Sequence, residues 1–179
     1  FLRDREKFTH NRLVEELASY GIVNYTIGEF NVIDIDGDVD LSSNELNKLP
    51  FTFGKVTGNF NCGNNNLIKL TGSPREVGGD FDCSCNSLDS LEGAPDEVGG
   101  DFDCSVNNLT SLQGSPAEVG GNFICSYNEL NELDMVSNIK CNILCKGNNF
   151  WHENDVHFNG WCGGTIDFSD DEPFDGNGD

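Results

Sequence analysis

Apolar and polar residues follow a pattern that repeats every 21 residues through the middle of this chain. In the clearest unit, Phe81 and Cys83 alternate with Asp80, Asp82 and Ser84, which is typical of a strand with one buried face. A fixed period of this length indicates a solenoid, in which each unit buries its apolar face only against its neighbours. The recurring residues are Val56, Val77, Val98 and Val119; Phe60, Phe81, Phe102 and Phe123; Cys62, Cys83, Cys104 and Cys125; Asn65, Asn86, Asn107 and Asn128; Leu67, Leu88, Leu109 and Leu130; Leu70, Leu91, Leu112 and Leu133.

The repeat register extends beyond these four close matches in both directions. Upstream, one period earlier, suitable residues stand at Ile35, Gly37, Val39, Leu41, Asn44, Leu46 and Leu49. Downstream, a unit shortened by one residue contains Ile139, Cys141, Ile143, Cys145 and Asn148. The pattern therefore predicts about six rungs between residues 35 and 150, with Cys141 and Cys145 packed inward on the last of them.

The stretch Phe81-x-Cys83-x-x-Asn86-x-Leu88 resembles the core of a leucine-rich repeat, L-x-L-x-x-N-x-L. The longer run from Glu76 to Pro95 is similar to repeats of short-repeat bacterial and tailed-phage proteins. This resemblance implies a right-handed leucine-rich repeat solenoid with a parallel β-sheet. It also implies protein recognition, usually through the concave sheet, and no shared reaction.

The ends of the chain depart from the repeat and are expected to cap the solenoid. Residues 3–20 have an approximate apolar stripe that predicts a helix, and residues 22–35 predict a hairpin turning at Gly28. We therefore expect an N-terminal helix and hairpin cap over 1–34, a solenoid over 35–150 and a short aromatic C-terminal cap over 151–168. The acidic residues 169–179 are expected to be a disordered tail.

The chain is strongly acidic, with 31 Asp and Glu against 10 Lys and Arg and a formal charge of −21. Such a surface is expected to repel nucleic acid and anionic membranes and to favour basic partners or cations, although charge can also serve solubility alone. No stretch predicts a membrane span or a signal peptide. Four of the eight cysteines occupy one inward repeat position, which favours reduced thiols and a cytoplasmic location, that of a bacterial host if the phage resemblance holds.

Strand alternation predicts a polar ribbon on the outer face of the sheet. If Phe81 and Cys83 point inward, Asp80 and Asp82 point outward, and Asp101 and Asp103 stack directly on them at about 4.8 Å. Stacked like charges destabilise a sheet, so a cationic partner would explain them; copying of exposed Asp and Asn during repeat duplication explains them equally well. The polar ribbon comprises Asp38, Asp40, Asn59, Asn61, Asp80, Asp82, Asp101, Asp103 and Asn122.

The ribbon and the charge together predict a non-enzymatic protein-binding module. The hypothesis is a phage-encoded inhibitor that binds a basic host protein, involved in defence or nucleic-acid binding, through the sheet face. One alternative is a DNA mimic whose carboxylates replace phosphates. Another is a structural protein with no specific ligand. The sequence does not predict an oligomeric state.

Metal sites and catalysis have weaker signals. Asp34-x-Asp36-Gly-Asp38-x-Asp40 resembles a calcium loop, but Val39 stands where an EF-hand requires glycine. Zinc ligands could come from Cys141, Cys145, His152, His157 and Cys162, although inward packing of the first two is the simpler interpretation. We expect no metal and no cofactor. With three histidines and no nucleophile elbow, phosphate loop or dinucleotide fingerprint, we also expect no enzyme.

Overall fold

The fold is taken from a computed structural model, which describes residues 2–135, 137–150 and 158–169. The chain begins with one helix, α1 (Leu2–Ser19), and a hairpin of β1 (Tyr25–Ile27) and β2 (Val32–Ile35) joined by a 3₁₀ turn (Glu29–Asn31). The thirteen strands that follow are short: β3 (Val39–Asp40), β4 (Thr52–Val56), β5 (Phe60–Asn61), β6 (Glu76–Val77), β7 (Phe81–Asp82), β8 (Glu97–Val98), β9 (Phe102–Asp103), β10 (Glu118–Val119), β11 (Phe123–Ile124), β12 (Asn138–Ile139), β13 (Ile143–Leu144), β14 (Trp161–Cys162) and β15 (Ile166–Asp167).

The strands form two sheets that run along the solenoid. Sheet 1 has the order β1-β2-β4-β6-β8-β10-β12-β14, and sheet 2 has the order β3-β5-β7-β9-β11-β13-β15. All pairs are parallel except the β1–β2 hairpin, in which Tyr25 lies opposite Ile35. We number the rungs 1 to 7 by the strands of sheet 2. Rungs 1 to 6 fall within residues 35–150.

The predicted right-handed solenoid with parallel strands and an N-terminal helix is confirmed. The structure adds a second parallel sheet that the repeat comparison did not predict. Strands β6, β8 and β10 each contribute one exposed and one buried residue, such as Glu76 and Val77, before a glycine pair turns the chain into sheet 2. Two residues are too few for alternation to be recognised in the sequence.

The range expected to form a C-terminal cap adds a seventh rung where the structure describes it. Strands β14 and β15 pair in parallel with β12 and β13, and Ile166 lies opposite Ile143. Residues 151–157 of the predicted aromatic cap and residues 170–179 of the predicted tail lie outside the described part of the chain.

The core is a thin column of identical side chains stacked rung upon rung. Phe60, Phe81 and Phe102 lie fully buried with ring centroids 5.5 Å apart and nearly parallel planes, and Phe123 continues the stack at 5.1 Å. Beside them stand the buried cysteines of the repeat and the two leucines of each unit. Each rung therefore has to bury its apolar face against the next, as expected for a solenoid.

Glycine pairs let consecutive rungs approach closely at the corner between the two sheets in rungs 3 to 5. A Cβ at Gly99 would overlap the carbonyl oxygen of Gly78, and a Cβ at Gly120 would overlap that of Gly99. In rung 2 Thr57 stands at the first of these positions, and in rung 6 Lys140 and Cys141 fill both, so the corner also accommodates side chains. The recurring glycine pair is thus explained by packing at the corner and does not indicate a phosphate-binding loop.

A ladder of asparagines satisfies the backbone at the opposite end of sheet 2. The Oδ1 atom of Asn107 accepts the N–H of Leu88 in the preceding rung at 2.9 Å. Its Nδ2 atom donates to the carbonyls of Cys83, Cys104 and Ser105, each at 3.1 Å. Buried backbone groups left unpaired are costly, so this one side chain links two rungs that no strand joins there. Equivalent bonds recur at Asn65, Asn86, Asn128 and Asn148.

Replacing Asn107 with alanine should destabilise the protein by about 3 kcal/mol or more, because it leaves several buried backbone groups without partners at roughly 1–3 kcal/mol each. Asn108→Ala is the matched control, since the neighbouring Asn108 side chain is exposed and hydrogen-bonds to no described residue. Urea unfolding of both variants measures the difference. Equal stabilities would contradict the proposed role of the asparagine ladder.

Candidate acidic docking surface

The structure places the nine residues of the polar ribbon in two columns on the outside of sheet 2. The first column contains Asp38, Asn59, Asp80, Asp101 and Asn122, at the corner after the glycine pair. The second contains Asp40, Asn61, Asp82 and Asp103, on the strands themselves. Five of the nine are half-buried, namely Asn61, Asp82, Asp101, Asp103 and Asn122, and the other four are exposed.

In every residue of the first column, the Oδ1 atom accepts a backbone hydrogen bond from the next rung. Asp101 N donates to Asp80 Oδ1 at 2.8 Å, and Asn122 N donates to Asp101 Oδ1 at 2.6 Å. The amide of Asn59 does the same for Asp80 N at 2.8 Å. The column therefore joins the rungs at a corner where the strands cannot, which gives its Asp and Asn residues a role in the fold.

The second column stabilises turns within each rung. Asp82 Oδ1 accepts the N–H of Ser84 at 2.8 Å, and Asp103 Oδ1 accepts that of Ser105 at 2.9 Å. Asn61 Oδ1 likewise accepts the N–H of Gly63 at 2.9 Å. In both columns asparagine serves as well as aspartate, so the hydrogen bonds require a side-chain oxygen and not a negative charge.

Burial and neighbouring charge act together on Asp103. Removal from water raises the pKa of its carboxyl, the hydrogen bonds from Ser105 oppose this shift, and the nearby carboxylates of Asp82 and Asp101 raise it further. The charged form of Asp103 is therefore unfavourable in the folded protein relative to an exposed aspartate. The cost comes first from burial of the carboxyl, and the stacked charges of Asp82 and Asp101 add to it.

A third acidic column escaped the sequence prediction. Glu76, Glu97 and Glu118 lie opposite one another in sheet 1 and point outward, four residues before the first ribbon column on each rung. Glu76 pairs with Lys55 at 2.7 Å, which lowers the pKa of Glu76 through their hydrogen bond. The side chains of Glu97 and Glu118 form no hydrogen bond or ion pair with any described residue. The 21-residue spacing of these three glutamates could have indicated the column, but placing them on one face required knowledge of the second sheet.

The calcium-like segment is spread over the first corner. Asp34 Oδ1 accepts Lys55 N at 2.8 Å, Asp36 Oδ1 accepts the Thr57 hydroxyl at 3.0 Å, and Asp38 Oδ1 accepts Asn59 N at 2.7 Å. These carboxylates each bind the following turn of the chain. Among the described residues, no group of three His, Cys, Asp or Glu side chains is arranged to hold a metal ion.

The cysteines separate into a buried ladder and an exposed set. Cys145 packs inward as predicted, but the expectation for Cys141 was wrong, since it is exposed. Cys141 occupies the place of the second corner glycine, where its N–H bonds Gly121 O at 3.2 Å, and a side chain there points outward. Burial raises the pKa of the Cys83, Cys104 and Cys125 thiols far above the ordinary value, so they remain neutral. His152 and His157 lie outside the described residues.

Substitutions at Asp101 should separate the need for oxygen from the need for charge. Asp101→Asn should change the stability by less than about 0.5 kcal/mol, because an amide oxygen can accept the Asn122 N–H as Asn59 accepts that of Asp80. Asp101→Ala should cost about 1–2 kcal/mol through the lost acceptor. Chemical denaturation of the two variants and wild type measures both changes in the free energy of unfolding. Equal losses in both variants would show that the charge itself stabilises the fold.

The raised pKa of Asp103 predicts the sign of a pH effect. An acid whose folded pKa exceeds its unfolded value favours folding below its ordinary pKa of 3.8 and loses that contribution as pH rises through the raised pKa. Asp103→Asn, which keeps the turn as Asn61 does, should therefore gain stability over wild type as the pH rises to neutral.

Unfolding midpoints of wild type and Asp103→Asn across this pH range test the prediction. Asp89→Asn, an exposed aspartate outside the ribbon, is the control. A stability difference for Asp103→Asn that stays constant or shrinks with rising pH would contradict the proposed effect of burial.

No protein-family model, curated protein or solved structure matches this chain significantly. In the part of the chain that the structure describes, no helix has the length and apolar character needed to cross a membrane.

Proposed function

We propose that this protein is a non-enzymatic protein-binding module that docks a basic surface of a partner protein onto its polar ribbon. The observation that carries the proposal is the exchange of amide for carboxylate between equivalent rungs. Asn59 and Asn61 in rung 2 accept the same backbone hydrogen bonds as Asp80 and Asp82 in rung 3. The hydrogen bonds need an oxygen and not a charge, so the charge is available for recognition.

The charge is concentrated where a partner could reach it. Rungs 3 and 4 carry Asp80, Asp82, Asp101 and Asp103 on sheet 2, and Glu76 and Glu97 on the adjoining face of sheet 1. Like charges on neighbouring strands destabilise a sheet by roughly 0.2–1 kcal/mol per pair. A basic partner would relieve this repulsion and would be drawn to the surface from a distance.

The repeat resemblance supports a narrower version of the proposal. Its likeness to tailed-phage repeats favours a phage-encoded protein that acts in the cytoplasm of a bacterial host. Occupying a basic site of a host protein, in defence or in nucleic-acid binding, would inhibit it without a reaction. The partner is then expected to be a protein with a basic surface.

The geometry favours the DNA-mimic alternative less. Duplex DNA carries one negative charge per about 1.7 Å of its axis without interruption, whereas the polar ribbon has no carboxylate in rung 2, where both residues are Asn. In the second and fifth rungs the first ribbon column is amide, at Asn59 and Asn122. The carboxylates therefore form a short acidic area on the described ribbon and not a continuous charged rod.

Capture from a bacterial lysate tests the proposal. Wild type should retain a basic protein that elutes as salt is raised, because salt screens exposed charges. The variant with Asp80, Asp82, Asp101 and Asp103 all changed to Asn should recover at least tenfold less of that protein while remaining folded.

A matched control changes four exposed acids elsewhere, Asp89→Asn, Glu92→Gln, Glu129→Gln and Glu132→Gln, and has the same total charge. It should recover the partner as wild type does. Equal recovery from all three proteins would remove the ribbon from the function. No recovered protein from any of them would favour a structural role without a specific ligand.

A further inference from the structure

The second ribbon column changes character in rung 5. After Asp40, Asn61, Asp82 and Asp103, the same outward position is Ile124 in rung 5 and Leu144 in rung 6, before Asp167 in rung 7. Both apolar side chains are only half-buried. An aliphatic pair thus interrupts a column that is otherwise polar, directly beside Asp103.

The neighbouring corner carries two further exposed apolar or aromatic side chains. One residue at this corner adopts the left-handed conformation in each of rungs 1 to 6, with φ between 52° and 65°. Asparagine and glycine tolerate this conformation best, and they occupy rungs 2 and 6 as Asn64 and Gly147. Rungs 1 and 3 carry the small residues Ser43 and Cys85 there, and rungs 4 and 5 carry the larger Val106 and Tyr127. Their side chains are 46% and 51% exposed, so burial does little to offset the unfavourable backbone conformation.

Tyr127 is held in place by the next rung. A Cβ at Gly147 would overlap the Tyr127 ring, so the ring lies against the glycine backbone. The Lys146 Nζ stands 5.7 Å from the ring centroid, at a cation–π distance. An aromatic ring that is ordered before binding loses little conformational entropy on contact with a partner, and such residues often dominate interfaces. We call Val106, Ile124, Tyr127 and Leu144 the apolar patch.

We propose that the apolar patch and the adjoining aspartates of the ribbon form one composite docking site for an extended basic protein segment that carries a bulky aliphatic or aromatic residue. This inference rests on the proposed function and specifies its partner. An apolar centre beside charged residues is the usual composition of a protein interface. The partner's apolar residue packs on Ile124 and Tyr127, and its basic residues lie over Asp103 and Asp82.

Charge also favours one direction of the segment. Carboxylates border the patch on both sides, Asp103 at Ile124 and Asp167 at Leu144. The positive charge of Lys146 acts on Asp167, whereas Asp82 and Asp101 add to the negative charge around Asp103. The basic residues are therefore placed over rungs 3 and 4, and the apolar residue over rung 5.

Three labelled synthetic peptides test the proposal by fluorescence anisotropy. The first alternates Lys and Ser and ends in Trp, the second replaces that Trp with Ser, and the third keeps Trp but replaces each Lys with Gln. The Lys–Trp peptide should bind wild type at least tenfold more tightly than either of the others. Ile124→Asn with Tyr127→Asn should abolish the advantage of Trp and leave the affinity of the Lys–Ser peptide unchanged. Asp82→Asn with Asp103→Asn should weaken both basic peptides.

Each other outcome overturns a specific part. Equal binding of the Lys–Trp and Lys–Ser peptides would contradict a role for the apolar patch but would remain consistent with docking on the polar ribbon. Equal binding of the Lys–Trp and Gln–Trp peptides would contradict docking on the polar ribbon, and therefore also the composite site. If no peptide binds, both the proposed function and this inference fail.

Thermal unfolding of Val106→Asn provides an independent readout. Asparagine fits the left-handed conformation, as Asn64 does, so the melting temperature should rise. A lower melting temperature would show that Val106 stabilises the corner, and would remove it from the docking site.

Discussion

Each rung of this solenoid must pair the backbone groups of its corners with the rungs on either side. Strands of two residues pair only a small part of each turn, and the corners between them would otherwise leave donors and acceptors unpaired in a narrow stack. Two sets of short polar side chains solve this problem. The Asn107-type ladder spans one corner with four bonds per side chain, and the Asp80-type column spans the other with one. The stacking of the phenylalanine rings depends on these hydrogen bonds, because the rungs must keep one spacing and register for the rings to overlap.

This constraint restricts what each position can contribute to function. The asparagine ladder needs an amide, since the side chain must accept from one backbone group and donate to carbonyls. The Asp80-type position needs only an acceptor, and the Asp82-type position is also filled by Ile124 and Leu144, so both can be charged or neutral without a change of fold. The fold therefore permits a chosen amount of negative charge at a defined place on each rung. Rungs 3 and 4 use that freedom fully, and Asp103 shows the cost in its raised pKa.

The sequence predicted the features that depend on burial and missed those that depend on contacts between rungs. Inward Phe81 and Cys83, the solenoid and the N-terminal helix follow from periodicity, since a 21-residue repeat with constant apolar positions has few other folds available. The second sheet was missed because Glu76–Val77 is too short to show alternation. Cys141 was placed inward because it alternates with Ile139 and Ile143, but those residues lie in different sheets and the corner between them interrupts the alternation. The hydrogen bonds of Asp80 and Asp101 join residues 21 apart, and no local pattern indicates them.

A repeat protein contains its own control for each position, and this is the strongest basis for locating function here. Where equivalent rungs use Asn, Gly and Asp interchangeably, the fold alone accounts for the residue type. Ile124, Val106 and Tyr127 are different, because each puts a large apolar or aromatic side chain at an exposed or half-buried position that other rungs fill with Asp, Asn, Ser, Cys or Gly. Two of them also hold a backbone conformation that opposes their own side chains. A departure that costs stability and gains little burial is explained best by a contact outside the chain. These departures lie next to rungs 3 and 4, where the unneeded charge is concentrated. The region around rungs 3 to 5 is therefore the part of the solenoid whose composition the fold explains least and recognition explains best.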